Sequence, residues 1–499
     1  MDVNLFVLLV LVAKVSSQNE SWANNVENFF KDQTNKVSSF FNEQQRSFEA
    51  AVNSSYEEAK RVQDSVNEYF EEQKRVIDEE VNAYVEGVKA TGREIADTWS
   101  YVPDTVQRDV KKVDISDQYL TIPAIISRNG YICETHTILS KGYFLNIHRI
   151  PRNKQASQVS SKTVFLQHGI FGSSADWIIN GPDKALGYVL ADAGYDVWMA
   201  NIRGNRYSRQ HSWWDINSKE YWNFSWHDVA MYDVPAIIDY INKVKDGDAQ
   251  ISYIGHSMGT TILFTMLSVR PEYNNILRGA IALAPVVFTS DVNSSLTSLA
   301  PMASNVAYMA MTYGSHEFIP KESFLGGLPK ACDITHIDKF ICNHIIFKIC
   351  GYDEGQMNST ILPIFLAHLG TGTSWKTAVH FAQEIVAGGK FQQFDYDTYY
   401  NKKVYGTEKP PEYDLSKVTL PISLFWAQND LLSREKDIIK LRSKLPESTQ
   451  TYMVPYSEFN HLDYIWATDV HTLVNEKVLS TLESIFGNDR RILKFNFGF

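Results

Sequence analysis

The 499-residue chain has no excess of positive charge: 47 Lys and Arg stand against 58 Asp and Glu, a formal net charge of −11. That balance excludes a nucleic-acid phosphate backbone as the main partner. Beyond the first residues there is no uninterrupted apolar run of about 18 residues, so no membrane-spanning helix is expected in the mature chain. Cysteine is scarce, with only Cys133, Cys332, Cys342 and Cys350. None forms a C-x2-C pair completed by paired histidines, so a zinc site is not expected. In an oxidising compartment four cysteines can pair in three ways, and sequence alone does not choose among them. Three of them fall within 19 residues, a clustering that suggests one local disulfide and a thiol left over.

The N-terminus, MDVNLFVLLVLVAKVSSQNE, lacks Lys and Arg ahead of its apolar core from Leu5 to Ala13. A core of about nine residues is too short to cross a bilayer, so residues 1–17 are read as a signal peptide. The chain is accordingly expected in the secretory pathway, secreted or in the lysosomal lumen. Glycan acceptor sequons at Asn19, Asn53, Asn223, Asn293 and Asn358 agree with this, though Asn223 sits among aromatics.

Residues 18–102 contain no Pro, no Cys and only two Gly, Gly87 and Gly92. From 18 to 100 there are 17 Asp and Glu against 9 Lys and Arg, so much of the acidity lies here. Apolar residues recur eleven apart at Val26, Val37, Phe48, Ala59, Phe70 and Val81, with parallel rows through Phe30, Phe41 and Val52 and through Val66, Ile77, Val88 and Trp99. Three helical turns per eleven residues keep such a stripe on one side, so an acidic amphipathic helical extension is expected. Self-association as a right-handed coiled coil or small bundle is the preferred use. Binding to a lipid particle is the second, and a removable pro-segment the third.

From residue 113 the pattern becomes alternating strand and helix. Buried-strand runs occur at 163–169 (TVFLQHG), 196–202 (DVWMANI), 251–257 (ISYIGHS), 279–285 (GAIALAP) and 421–430 (PISLFWAQND), with helical patterns at 184–194 and 229–244. This alternation implies an α/β fold with a mostly parallel sheet covered by helices on both faces. Residues 113–285 form the first part of the core and 420–499 the second. Residues 286–419 interrupt the alternation and read as a cap or lid insert.

YIGHSMGTTI, residues 253–262, places Ser257 between Gly255 and Gly259, after a strand-like run and before a helical one. A tight strand-to-helix turn needs small residues on both sides and lifts the serine hydroxyl above the sheet, where the helix N-terminus favours developing negative charge. A serine hydroxyl is a weak nucleophile until a histidine held by a carboxylate takes its proton. Around such an elbow the acid and then the base follow on loops after later strands. Asp430 ends the strand-like run at 421–430, and His461 follows TYMVPY at 451–456. The plain alternatives are that Asp430 caps the next helix and His461 is an ordinary loop residue. Asp463 lies too close to His461 to come from a separate strand end, and His471 falls in a helical pattern. Strand alternation turns His256 away from the serine, as a structural residue. The oxyanion needs two N–H donors: the amide of Met258, after the nucleophile, and one in the loop LQHGIFGSSADW (166–177), at Ile170.

FLQHGIFGSSADW, LADAGYDVWMANIRGNRYSR, YIGHSMGT, NDLL and FNHLDYIWATD, in that order, make the stretch from about Ile115 to Gly487 resemble the acid lipase family of α/β-hydrolases, which includes gastric and lysosomal acid lipases. The resemblance implies the α/β-hydrolase fold and hydrolysis of triacylglycerols or cholesteryl esters by an acid-tolerant lumenal enzyme. It carries the nucleophile to Ser257, the acid to Asp430, the base to His461 and the oxyanion amides to Ile170 and Met258. It also implies a cap disulfide between Cys332 and Cys342, leaving Cys350 free and Cys133 without an assigned partner. The chain departs from the family at Met258, where Gln is common, and at Ala427-Gln428, where a glycine pair is common. The Met258 side chain is expected at the mouth of the acyl pocket. The extension before residue 103 lies outside the resemblance.

The expectation is therefore a serine ester hydrolase acting on neutral lipid at a lipid–water interface, with no metal and no organic cofactor. The alternatives are a carboxylesterase for smaller esters and a catalytically silent lipid-binding protein on the same fold.

Overall fold

The computed structural model describes residue 117 and residues 120–487, apart from 155–157, 305–306, 308–315, 319–345, 358–360 and 369–371. The expected signal peptide, the extension at 18–102, Cys332 and Cys342, and the sequons at Asn19, Asn53 and Asn358 lie outside the described residues.

After α1 (Ile122–Arg128), the hairpin strands β1 (Glu134–Ser140) and β2 (Tyr143–Ile150) lead into β3 (Lys162–Gln167). Helix α2 (Leu186–Asp192) connects β3 to β4 (Asp196–Met199), and the short β5 (Gln210–His211) precedes α3 (Val234–Val244). Then come β6 (Gln250–His256), α4 (Met258–Val269) and β7 (Leu277–Leu283). After the insert, β10 (Ile422–Trp426), α8 (Glu435–Lys444), β11 (Gln450–Met453) and α9 (Glu476–Gly487) complete the core. The sheet runs β1-β2-β4-β3-β6-β7-β10-β11, with β5 beside β2. Strands β4, β3, β6, β7, β10 and β11 are mutually parallel, and β1 and β2 are antiparallel additions at one edge.

Alternation along these strands builds two separate apolar layers. Val164, Leu166, Val197, Met199 and Ile254 face α1, α2 and α9, together with Val478, Leu482 and Phe486 of α9. Phe165, Trp198 and Tyr253 point the other way, into a layer with Ile237, Ile238 and Ile241 of α3 and Ile262 and Phe264 of α4. The hairpin β1–β2 has a mixed polar and apolar pattern, and no strand is expected there from sequence.

The helical pattern at 229–244 is resolved into a π-turn, Val229–Asp233, followed by α3 with Pro235 in its first turn. Proline has no N–H to complete a regular turn, and the wider turn accommodates it. The turn also carries Asp233 inward, where its buried carboxylate accepts from Arg203 at 2.5 and 2.8 Å and from Ser140 at 2.6 Å. Strand β7 pairs directly with β10, so the chain leaves the sheet after Leu283 and returns at Ile422. The insert in this excursion contains β8 (Glu317–Phe318), α5 (Leu362–His368), β9 (Thr373–Ser374), α6 (Trp375–Val386) and α7 (Thr398–Tyr405).

Two sequons fall in described residues, and Asn223 and Asn293 are both exposed. The aromatic neighbours of Asn223, Trp222 and Phe224, are buried beneath it, so the crowding suggested by the sequence does not reach its side chain.

Asp233→Ala leaves the Arg203 guanidinium buried without its counter-charge, which costs about 3–5 kcal/mol. Thermal unfolding is expected to show a large fall in Tm, whereas an unchanged Tm would show that the pair contributes nothing.

Candidate active site

Loops at the C-terminal ends of four parallel strands converge on Ser257, as ligand sites of open α/β sheets do. Ser257 follows β6 and precedes α4 with φ 53 and ψ −121, a backbone conformation that a non-glycine residue adopts only when its surroundings force it. The flanking glycines show what forces it. A methyl group at Gly255 would stand 2.7 Å from the Gly259 backbone, and one at Gly259 would overlap the Gln167 carbonyl oxygen. Three backbone segments therefore meet at one point, and the serine hydroxyl is lifted out of the sheet.

The Ser257 Oγ lies 2.7 Å from His461 Nε2. On the far side of the ring, Nδ1 lies 3.0 and 2.8 Å from the two Asp430 oxygens. A carboxylate only accepts, so Nδ1 carries the proton and Nε2 is free to take one from the serine. Asp430 is fully buried and accepts from the amides of Leu432 and Ser433, each at 2.8 Å. Ser433 in turn donates to the Pro285 carbonyl at 2.7 Å, which ties the acid loop to the end of β7. The residues singled out in the sequence after β6, β10 and β11 are thus brought into one hydrogen-bonded chain.

Met258 opens α4, and a first-turn amide has no acceptor within its own helix. Its side chain is buried in the apolar layer under α3 and α4, which corrects the expectation that it borders an acyl pocket. Ile170 follows His168 and Gly169 in the loop after β3. The loop is packed tightly against the serine, since a methyl group at Gly169 would lie 3.1 Å from Ser257 Cβ. His168 donates from Nδ1 to the Gly169 carbonyl at 2.8 Å and accepts at Nε2 from the Ile202 amide at 3.3 Å. Burial pushes its imidazole down to about 4, so the ring stays neutral and keeps both roles. Asp176 closes the same loop in a capping box with Ser173, and burial pushes its carboxyl up to about 7.

Strand alternation turns His256 away from the serine, but the structure places its ring beside that of His461, with centroids 5.1 Å apart. Its Nε2 donates to the His461 carbonyl at 2.8 Å, and burial pushes the imidazole down to about 3. The strand ends at this residue and the chain turns sharply, so alternation does not extend across the elbow. Asp463 accepts from the Asn460 amide at 2.6 Å and from Trp466 Nε1 at 2.8 Å. His471 opens the π-turn before α9. Neither joins the chain from Ser257 to Asp430.

The insert contributes more than cover. The Cys350 carbonyl accepts from the amides of both His461 and Leu431 at 3.3 Å, so one residue holds the base loop and the acid loop together. Gly351 accepts from Asn460 Nδ2 at 3.1 Å, and Tyr352 from Asn429 Nδ2 at 2.7 Å. Gly351 has φ +119, and a methyl group there would overlap the Asn429 carbonyl oxygen. Cys350 is a buried free thiol, and Cys133 is also free. Near the loop after β3, Phe318 of β8 packs on Phe171 at 5.6 Å and on Trp375 at 4.5 Å. Glu317 beside it accepts a two-pronged ion pair from Arg209 at 2.7 and 2.8 Å. Sequence gives little sign of these contacts beyond the glycine that follows Cys350.

Such a constellation, with a serine, an oriented imidazole, a buried carboxylate and nearby amides, is suited to acyl transfer. A family model described as "alpha/beta hydrolase fold" matches residues 162–468, and one described as "Partial alpha/beta-hydrolase lipase region" matches residues 122–181. Lipase 3 of Drosophila melanogaster is 40% identical over 72% of this chain and 92% of its own length. The gastric triacylglycerol lipase of Homo sapiens is 34% identical over 73% of this chain and 91% of its own. The lysosomal acid lipase/cholesteryl ester hydrolase of Macaca fascicularis is 33% identical, again over 73% and 91%. With the elbow, the order of the serine, acid and base, and these full-length relatives, the chain belongs to the acid lipase family of α/β-hydrolases.

Proposed function

We propose that this lipase hydrolyses ester bonds of triacylglycerols or cholesteryl esters, with Ser257 as nucleophile, His461 as general base and acid, and Asp430 as the carboxylate that orients it. The observation that carries the assignment is the unbroken hydrogen-bonded chain from Ser257 Oγ through His461 to Asp430. Ser257 Oγ attacks the ester carbonyl carbon while its proton passes to His461 Nε2. The carbonyl oxygen becomes an anion facing the amides of Ile170 and Met258, which are suited to stabilise it. Collapse breaks the ester C–O bond, His461 returns the proton to the leaving alcohol, and the acyl group stays on Ser257. Water then attacks the acyl-enzyme, giving its proton to His461, and the fatty acid leaves as Ser257 recovers its hydrogen. The choice of neutral lipid rests on the names of the relatives, gastric triacylglycerol lipase and lysosomal acid lipase/cholesteryl ester hydrolase.

The apolar N-terminal core and the sequons support a secreted or lysosomal enzyme, and the two described sequon asparagines are exposed. A disulfide between Cys332 and Cys342 belongs to the same proposal. The acidic eleven-residue periodicity of residues 18–102 supports self-association through a coiled coil.

Ser257→Ala is expected to lower hydrolysis of an emulsified long-chain triacylglycerol by about 10⁴-fold or more. Retained turnover would overturn the nucleophile assignment, and native activity confined to short soluble esters would favour a carboxylesterase. Deleting residues 18–102 is expected to lower the oligomeric mass while leaving turnover of a soluble ester unchanged. An unchanged mass with weakened binding to lipid droplets would favour the lipid-surface reading instead.

A further inference from the structure

Two carboxyl groups meet directly beside the base loop. Asp353 lies in the insert just after Gly351, and Asp463 lies two residues after His461. Both are fully buried, and the two carboxyls are close enough to act on each other. Asp463 spans the base, since its Oδ2 accepts from the Asn460 amide at 2.6 Å and its Oδ1 from Trp466 Nε1 at 2.8 Å. Asp353 Oδ1 accepts from the Gln356 amide at 3.0 Å, while its buried Oδ2 receives no N–H or O–H from a neighbour.

Among the described residues, the groups facing the pair supply no positive charge. Glu458 and Tyr456, from the loop before His461, face Asp353. Cys350 of the insert and Tyr464 of the turn after His461 face both Asp430 and Asp463. Among the described residues no Lys or Arg is ion-paired with either carboxyl. Two carboxylates in contact repel, and neither can donate to the other unless a proton is present.

We propose that Asp353 and Asp463 share one proton, and that this carboxyl–carboxylate bond is a positioning element that fastens the loop of His461 to the insert. The inference rests on the reading of His461 as the base. Burial raises the carboxyls of both residues above the ordinary aspartate range. A group whose pKa is raised on folding contributes fully below its unfolded value and loses that contribution as pH rises through the folded one. The fastening is therefore complete in acid and is released toward neutral and alkaline pH. The proton acts on the position of the base, through the Asn460 amide and the Trp466 indole N–H that Asp463 holds, and takes no part in the chemistry at Ser257.

Asp353→Asn tests this, because an amide donates permanently to the Asp463 carboxylate while its oxygen still accepts from Gln356. The pH profile of kcat/KM on a soluble ester and the Tm are measured for the native chain, D353N and D353A. The native chain is expected to lose activity on the alkaline side by roughly tenfold per pH unit once the shared proton is gone. D353N is expected to hold kcat/KM and Tm across that range, with the acid limb unmoved, and D353A to be weak at every pH. A D353N profile that falls along the native alkaline limb would overturn the proposal. Should D353N fail to fold, the native chain still decides, since a Tm that stays flat from acid through alkaline pH contradicts release of a shared proton. His461→Gln, run alongside, separates the two readings, because turnover retained there would sink the base assignment itself.

Discussion

Everything at the site depends on the crowding of three backbone segments at the turn after β6. Gly255, Gly259 and the carbonyl of Gln167 leave no room for a Cβ, and Ser257 is driven to φ 53. A residue held in that region carries strain of order 1–3 kcal/mol, which persists only because the surrounding sheet and helix over-determine it. The same crowding points Oγ away from the sheet, starts α4 at Met258 and brings the loop at Gly169 within contact of the serine. The raised Ser257 hydroxyl, the start of α4 and the packing of the loop after β3 are thus consequences of a single close approach.

The loops of His461 and Asp430 are fixed from outside the sheet, by hydrogen bonds and by the close approach of Gly351 to Asn429. His256 and the Cys350 carbonyl grip the backbone of His461 from two directions, and the Cys350 carbonyl also grips the acid loop at Leu431. The insert and the loops of Asp430 and His461 are therefore parts of one polar network. This explains why Gly351 is required, since its backbone runs against that of Asn429. Buried polar groups of this kind specify geometry when every member is satisfied, and the carboxyl pair of Asp353 and Asp463 reaches that condition by holding a proton.

Much of this was legible in the sequence. The runs at 163–169, 251–257 and 279–285 are apolar on both faces and are strands of the parallel sheet, because a strand covered on both sides needs no polar face. Ser257 and Asp430 could be found because each follows such a run, and His461 because it follows a strand-like run later in the order serine, acid, base. The hairpin β1–β2 was not legible, since edge strands mix polar and apolar residues and resemble loops. Nor were the contacts of Cys350, Gly351 and Asp353 with the base loop, because they are made largely by backbone atoms of residues distant in sequence. Met258 and His256 show the limit of local reasoning. Their side-chain directions are set by the elbow itself, which sends Met258 into the core and brings His256 beside the base.

The central claim is that Ser257 is the residue acylated in turnover. Incubation with a lipid-like phosphonate ester, followed by mass spectrometry of the digested chain, tests it most directly. The account predicts one phosphonate per chain, on the peptide containing Ser257, with loss of lipase activity in proportion to labelling. Complete inactivation with the label on another residue, or full labelling of Ser257 with activity retained, would contradict it.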